Sequence, residues 1–376
     1  MPLSATSVPP PVPVDQAQQD RYRQLQAFVG RIAERVRHYL RQRPDDEEQT
    51  DHLRHVADRT RWLYYSELQR ANPGASVRIS EHEDALIQAC VLSHDVGKWI
   101  PRSDLRSLVP SEMEVLNRTF ARLKFTPHQN ELFLLGVGRR FALPHDGYTP
   151  EYDSVHHLVS AYLLATDEAL GFHRLDQADQ DHLILMIVGH QFGGYFKESL
   201  LNISLHDGGV TTGMLMEVSR PDRLQGDQLA CAFHDADISD LLFIGSLERR
   251  PNREDIYHTG GLVKILMINF TNHIYGAPSA PTDLEGCIKS CQGTVHNACK
   301  EFITPTAVEH GYQWRREALR FLGQLREKPG YDMLNRALMD SDRDEQVRLE
   351  AVRSLARLQA REFLTRAEAE EAGTTT

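Results

Sequence analysis

Tyr22, Leu25, Phe28, Val29, Ile32 and Val36 recur mostly three and four residues apart, which predicts a helix from Arg21 to Leu40 with one apolar face. The acidic cluster Asp45, Asp46, Glu47 and Glu48 suits the start of a second helix, from about Glu47 to Ala71, because negative charge meets the positive end of the helix dipole. Asn72-Pro73-Gly74 ends it with turn chemistry. Ser80 followed by Glu83 is a capping box for a third helix, which carries Ala85, Leu86, Ala89, Cys90 and Leu92 into the run SHDVGK at 93–98. Further helices are expected over 111–141, near 154–170, near 175–190 and from about 227 to 246, with a Pro/Gly loop from Leu143 to Tyr152. Sustained apolar/polar alternation is scarce, and Val210 to Val218 is the one stretch that suggests a strand. The expected fold class is all-α, a helical bundle.

The two ends read differently. Residues 1–20 hold Pro2, Pro9, Pro10, Pro11 and Pro13 and little apolar content, and are expected to form a disordered Pro-rich tail. Residues 367–376 are expected to fray. Between them, RREALRFLGQL (Arg315–Leu325) echoes RLEAVRSLARL (Arg348–Leu358) and places Ala318 over Ala351, Leu322 over Leu355 and Leu325 over Leu358. That echo suggests a C-terminal helical extension over 276–366, HEAT-like in period, that docks on the main domain or on a protein partner. Two ordinary amphipathic helices are the alternative.

Composition narrows the function classes. With 376 residues, 41% hydrophobic and 25% charged, the chain is neither wholly disordered nor fibrous. It has no run of about 18 apolar residues, so no membrane span is expected. The net charge of −11 gives no electrostatic help towards a polyphosphate backbone, which argues against nucleic acid as partner. Five irregularly spaced cysteines and the lack of a secretory signal point to a reducing, cytoplasmic setting.

The 18 histidines are the unusual count, and their placement carries the chemistry. His94-Asp95 ends an apolar helix, where the irregular Val96-Gly97 lets adjacent ligands converge. His52, His156, His190 and Asp237 each lie in or beside an apolar segment, where an isolated ionisable group costs free energy. Convergence on a shared centre explains all of them. His145-Asp146, in the Pro/Gly loop, reads as a decoy, and His55 and His157 as helix-face neighbours of ligands. Cys287, Cys291, His296 and Cys299 are all zinc-competent, but C-x3-C-x4-H-x2-C is not a familiar finger spacing, and cysteines packing a helix face explain it as well.

The order His … His-Asp … His … His … Asp over roughly residues 45–250, with HDVGK close to the typical HD-x-GK, resembles the HD-domain superfamily of metal-dependent phosphohydrolases. The resemblance implies an HD-type bundle over 21–275. It implies one divalent metal on His52, His94, Asp95 and Asp237, and a second recruited by His156 and His190, with Asp95 bridging. Imidazole and carboxylate ligands suit iron, manganese, cobalt, nickel or zinc. Lys98 would pair with a substrate phosphate, and Asp235 would serve as general base or as a carboxylate behind the ligands. Arg102, Lys197, and Arg249 with Arg250 and Arg253 are further candidates for holding phosphate oxygens, and Gly193-Gly194 for close substrate approach. The implied activity is hydrolysis of a small phosphorylated substrate, a nucleotide or dinucleotide, by metal-activated hydroxide. A mixed-valent diiron oxygenase shares the same ligands, and a non-catalytic sensor or scaffold shares the fold.

Overall fold

A computed structural model describes residues 8–16, 18–43, 46–99, 156–190, 224, 226–277 and 280–374. The protein is mostly helical, as the hydrophobic spacing predicts. Helix α1 (Gln19–Leu40) buries Leu25, Phe28, Ile32 and Val36 along one face. Helix α2 (Asp46–Ala71) opens on three acidic residues, and α3 (Glu81–Ser93) has both bonds of the Ser80/Glu83 capping box. The short α4 (Val96–Trp99), α5 (His156–Thr166) and α6 (Gln177–Gly189) follow, with two 3-10 turns between α5 and α6. Helix α7 (Gln228–Asp240) packs along α2, and α6 lies against α3, α5 and α7. These helices enclose a core that includes Val56, Leu63, Ile87, Leu163, Ile187 and Phe233.

Four sequence expectations need correction. The first is the tail over 1–20. Val12 N–H donates to Ile79 O at 2.9 Å, and Glu81 N–H donates to Val12 O at 2.8 Å. Val14 is buried, and α1 already begins at Gln19. Prolines hold this stretch extended, and Val12, between Pro11 and Pro13, supplies the donor they lack. Residues 1–7 lie outside the described residues.

The second concerns 227–246. Helix α7 stops at Asp240, and strand β1 (Gly245–Glu248) pairs antiparallel with β2 (Ile256–Thr259), Gly245 facing Thr259. The run Leu241–Ile244 carries no periodicity to separate strand from helix. Gly245 starts the strand at φ 144°, where a Cβ would lie 2.4 Å from His258 O. The segments 111–141 and 143–152 and the stretch Val210–Val218 lie outside the described residues.

The third is the frayed end over 367–376. After α8 (Gly261–Ile274), α9 (Leu284–Ala298), α10 (Pro305–Gln324) and α11 (Gly330–Met339), helix α12 runs from Glu345 to Thr374. Arg320 reaches Glu370 at 2.7 Å and Arg249 pairs with Glu368, so the last turns are anchored. The run RAEAEEA is also rich in strong helix formers.

The fourth is the HEAT-like echo. Its halves lie on α10 and α12, but matched positions do not share an environment. Leu325 is 1% exposed and its counterpart Leu358 is 45% exposed; on α12 the buried positions are Val352, Ala356, Ala360 and Phe363. The similarity is one of helical sequence, not of packing. The extension docks on the bundle itself: α12 packs on α8, and Arg357 reaches Glu48 of α2 at 2.9 Å. Among the described residues no helix is long and apolar enough to cross a membrane.

Candidate metal centre

Helix ends position the cluster. His94 caps the C-terminus of α3, Asp95 joins α3 to α4, His156 opens α5, and His190 caps α6. His52 and Asp237 come from within α2 and α7. The last turn of a helix leaves carbonyls unsatisfied. His94 Nδ1 meets Val91 O at 2.8 Å, and His190 Nδ1 meets Ile187 O at 2.6 Å. A carbonyl only accepts, so both Nδ1 atoms donate and both Nε2 lone pairs face inward. His52 Nδ1 in turn donates to Asp240 Oδ2 at 2.8 Å.

The inward atoms form two overlapping trios, His52–His94–Asp237 and His94–Asp95–His190. In the first, Nε2 of His52 and of His94 are 3.3 Å apart, and each is 3.4 Å from Asp237 Oδ1. Asp95 Oδ2 stands 3.5 Å from His52 Nε2, while its Oδ1 stands 3.6 Å from His94 Nε2 and 3.2 Å from His156 Nε2. His156 and His190 bring their Nε2 atoms to 3.1 Å. All six predicted ligands therefore meet, and Asp95 faces both halves of the cluster.

The donor set fits a metal ion on two counts. First, the Nδ1 protons of His52 and His94 are already committed, so two lone pairs face each other at 3.3 Å. That contact is repulsive unless a proton or a metal ion lies between them. Ligand atoms about 2.1 Å from a common ion sit roughly 3 to 3.4 Å apart, which matches the spacing found. Second, both Asp95 oxygens are buried without a hydrogen-bond donor in bonding geometry. Lys98 Nζ lies 2.8 Å from Oδ1 as a neighbouring charge.

Electrostatics keeps Asp95, Asp237 and His190 in the forms that bind metal. Burial pushes the Asp95 carboxyl up, but Lys98 and the surrounding imidazoles outweigh it and hold it well below the usual carboxylate range. Asp237 is likewise held low against burial, chiefly by His94. Burial, with His94 and His156, pushes the His190 imidazole well down, which favours its neutral form.

Two residues that support the cluster were not singled out for that role from sequence. Asp240 accepts from His52 and lies 3.6 Å from His55 Nδ1; it sits one turn after Asp237 on the same face of α7. Ser160 donates to His94 O at 2.7 Å and accepts from Gly97 N–H at 2.8 Å, tying the HD segment to the helix that carries His156. Gly97 permits this approach, since a Cβ there would lie 2.2 Å from His156 O. Asp240→Asn is expected to weaken metal affinity about 10- to 100-fold without unfolding the chain, because carboxylates behind metal-bound imidazoles contribute on that scale. Chelator competition checks it, and unchanged affinity would show that Asp240 does not orient His52.

Other candidates are placed elsewhere. Asp235 is not at the cluster. It lies two residues before Asp237, on the opposite side of α7. It accepts from Ile303 N–H (3.0 Å), Thr304 N–H (2.6 Å) and Thr304 Oγ1 (2.6 Å), so it is a structural acceptor rather than a base. Arg249 follows β1, where Asp255 and Glu368 already pair with its guanidinium. Arg250 pairs with Glu248 at 2.9 Å. Arg102, Lys197, His145-Asp146 and Gly193-Gly194 lie outside the described residues. His55 packs its ring on Phe243, and His157 is buried beside His156. Cys287 and Cys291 point into the core while His296 faces solvent, so that quartet does not converge.

Comparison of the chain with protein-family models, with curated proteins and with solved structures returns no match.

Proposed function

We propose that the cluster holds two divalent metal ions and that the protein is an HD-type metal-dependent phosphohydrolase acting on a small phosphorylated substrate, a nucleotide or dinucleotide. The observation that carries this reading is Asp95: a buried carboxylate with one oxygen towards His52 and the other towards His156, where the Lys98 ammonium lies 2.8 Å away. When bound, two such ions polarise a phosphoryl oxygen and lower the pKa of water. His52, His94 and Asp237 would hold one ion, His156 and His190 the other, and Asp95 both. Lys98 keeps a side chain 20% exposed beside the cluster and pairs with a phosphate oxygen of the substrate as a point charge. Asp240 and the carbonyls of Val91 and Ile187 keep His52, His94 and His190 in the tautomer that presents Nε2.

The test is metal content of protein purified without oxygen, beside His156→Ala, followed by phosphate release from a nucleotide and dinucleotide panel. About two ions per chain, falling to about one in His156→Ala, with phosphate released, is the expected result. Bound iron with substrate-dependent oxygen uptake and no phosphate release would replace the hydrolase by a diiron oxygenase. Failure to take up any of the five metals would leave a sensor or scaffold.

A further inference from the structure

A cavity of about 870 Å³ opens where α2, the segment after α7, α10 and the end of α12 meet. Its size lies within the range of small-molecule sites, roughly 300 to 1,000 Å³. None of the six metal-cluster residues lines it. Arg59, on its wall, lies about two helical turns along α2 from His52.

Arg59 is the unusual group. It is 7% exposed, and its guanidinium carbon lies 5.0 Å from the ring centroids of both Phe243 and Trp314. Its hydrogen bonds run from Nη1 alone, to Ser239 Oγ (3.1 Å) and to Ser239 O at the edge of range (3.4 Å). No carboxylate pairs with it among the described residues. Burial lowers its pKa to about 10, partly offset by Asp240 and Glu317, so it stays charged at neutral pH. Asp240 and Glu317 act on it only from a distance, and a buried cation with no carboxylate in contact is costly unless something supplies one. Two ring contacts recover only about 1–2 kcal/mol each.

The rest of the wall is aromatic and charged, with Glu317 and Glu371 on it besides two paired carboxylates. Trp62 is half-buried, stands edge-on to His310 at 5.1 Å and lies 6.1 Å from Trp314. Glu309 is paired with Arg70 and Glu370 with Arg320, both at 2.7 Å, so these carboxylates do not compete for Arg59.

We propose that this cavity is a binding site for a planar aromatic anion, its ring against Trp62 and its carboxylate or phosphate on Arg59. A guanidinium edge matches either group with two parallel hydrogen bonds, and the indole supplies a flat apolar face. The site also touches the metal-bearing frame. Phe243, which packs on Arg59, holds the ring of His55 at 4.6 Å, and His55 faces Asp240, the partner of His52.

Calorimetric titration of the full-length, metal-loaded chain tests it, with indole-3-acetate as the carboxylate probe and guanosine 5′-monophosphate as the phosphate probe. Their neutral counterparts, indole-3-acetamide and guanosine, are titrated alongside. At least one anion is expected to bind at least about tenfold more tightly than its neutral counterpart, and which one does so identifies the anionic group. Arg59→Gln and Trp62→Leu should each weaken that binding about tenfold or more; Trp62, being half-buried, is the safer substitution for folding. Nucleotide held at the metal centre instead would bind both variants as tightly as the parent, and that result overturns the proposal. Equal binding of anion and neutral counterpart, or no binding by either anion up to about 1 mM, overturns it as well.

Discussion

Asp95→Asn is expected to remove the bridge between the two halves of the metal cluster, to lower its metal content and to lower turnover by about a thousandfold or more. Asp95 is the one ligand whose two oxygens face different imidazole groups, His52 on one side and His156 on the other. The amide keeps the shape but removes the negative charge, and one of its two ends becomes a donor. That end would face either Lys98 and His156 or His52, and in neither orientation does it offer a lone pair to a cation. The bridge is therefore lost whichever way the amide turns, whereas His156→Ala should spare the His52–His94–Asp237 trio. Elemental analysis of the two variants side by side decides it. Wild-type metal content in Asp95→Asn would remove Asp95 from the ligand set, and with it the bridging role on which the proposed chemistry rests.

The second large effect is on stability. Asp235→Ala is expected to cost about 3–5 kcal/mol, the scale for removing one charged partner from a buried polar network. Asp235 is fully buried and accepts from two backbone N–H groups and one hydroxyl at the start of α10, besides lying 2.9 Å from His234 Nδ1. Alanine leaves those donors without an acceptor and out of reach of water. Urea unfolding of the metal-free chain should show a clearly lower midpoint, and Asp235→Asn should recover only part of it. A catalytic base would behave oppositely, with turnover lost and the midpoint unchanged. That pattern would restore the expectation drawn from sequence.

Sequence and structure part company over Asp235 for an identifiable reason. The run DADISD offers Asp235, Asp237 and Asp240 on one helix. Spacing separates Asp235 from the other two, which share a face, but does not say which face meets the imidazoles. The packing of α7 along α2 settles it, and that is a tertiary fact. The six clustered ligands were legible because each is an ionisable group in an apolar segment, a combination that demands a partner. The capping box at Ser80 was legible because it is wholly local. The hairpin of β1 and β2 was not: its strands are four residues long, too short for alternation to register. The Val12 pairing was invisible for a related cause, since prolines that signal an unstructured tail also fit an extended segment laid beside Ile79. Arg59 carried no motif. What makes it notable, a buried charge with no carboxylate in contact, between aromatic rings from α10 and from the segment after α7, exists only once those elements meet.

The bonds from Ile303 and Thr304 to Asp235 also bear on how the chain is made. Helix α7 carries Asp237 towards the imidazoles on one side and Asp235 towards the start of α10 on the other. The first set of partners leaves the ribosome before α7 does. The second follows it by the whole of β1, β2, α8 and α9, and at roughly 5–20 residues per second that stretch takes seconds to emerge. Throughout that interval α7 has one face satisfied and a carboxylate on the other still in need of water. The helix can settle fully into the bundle only when Thr304 arrives, so completion of the half that carries the His/Asp cluster waits on the half that carries none of it.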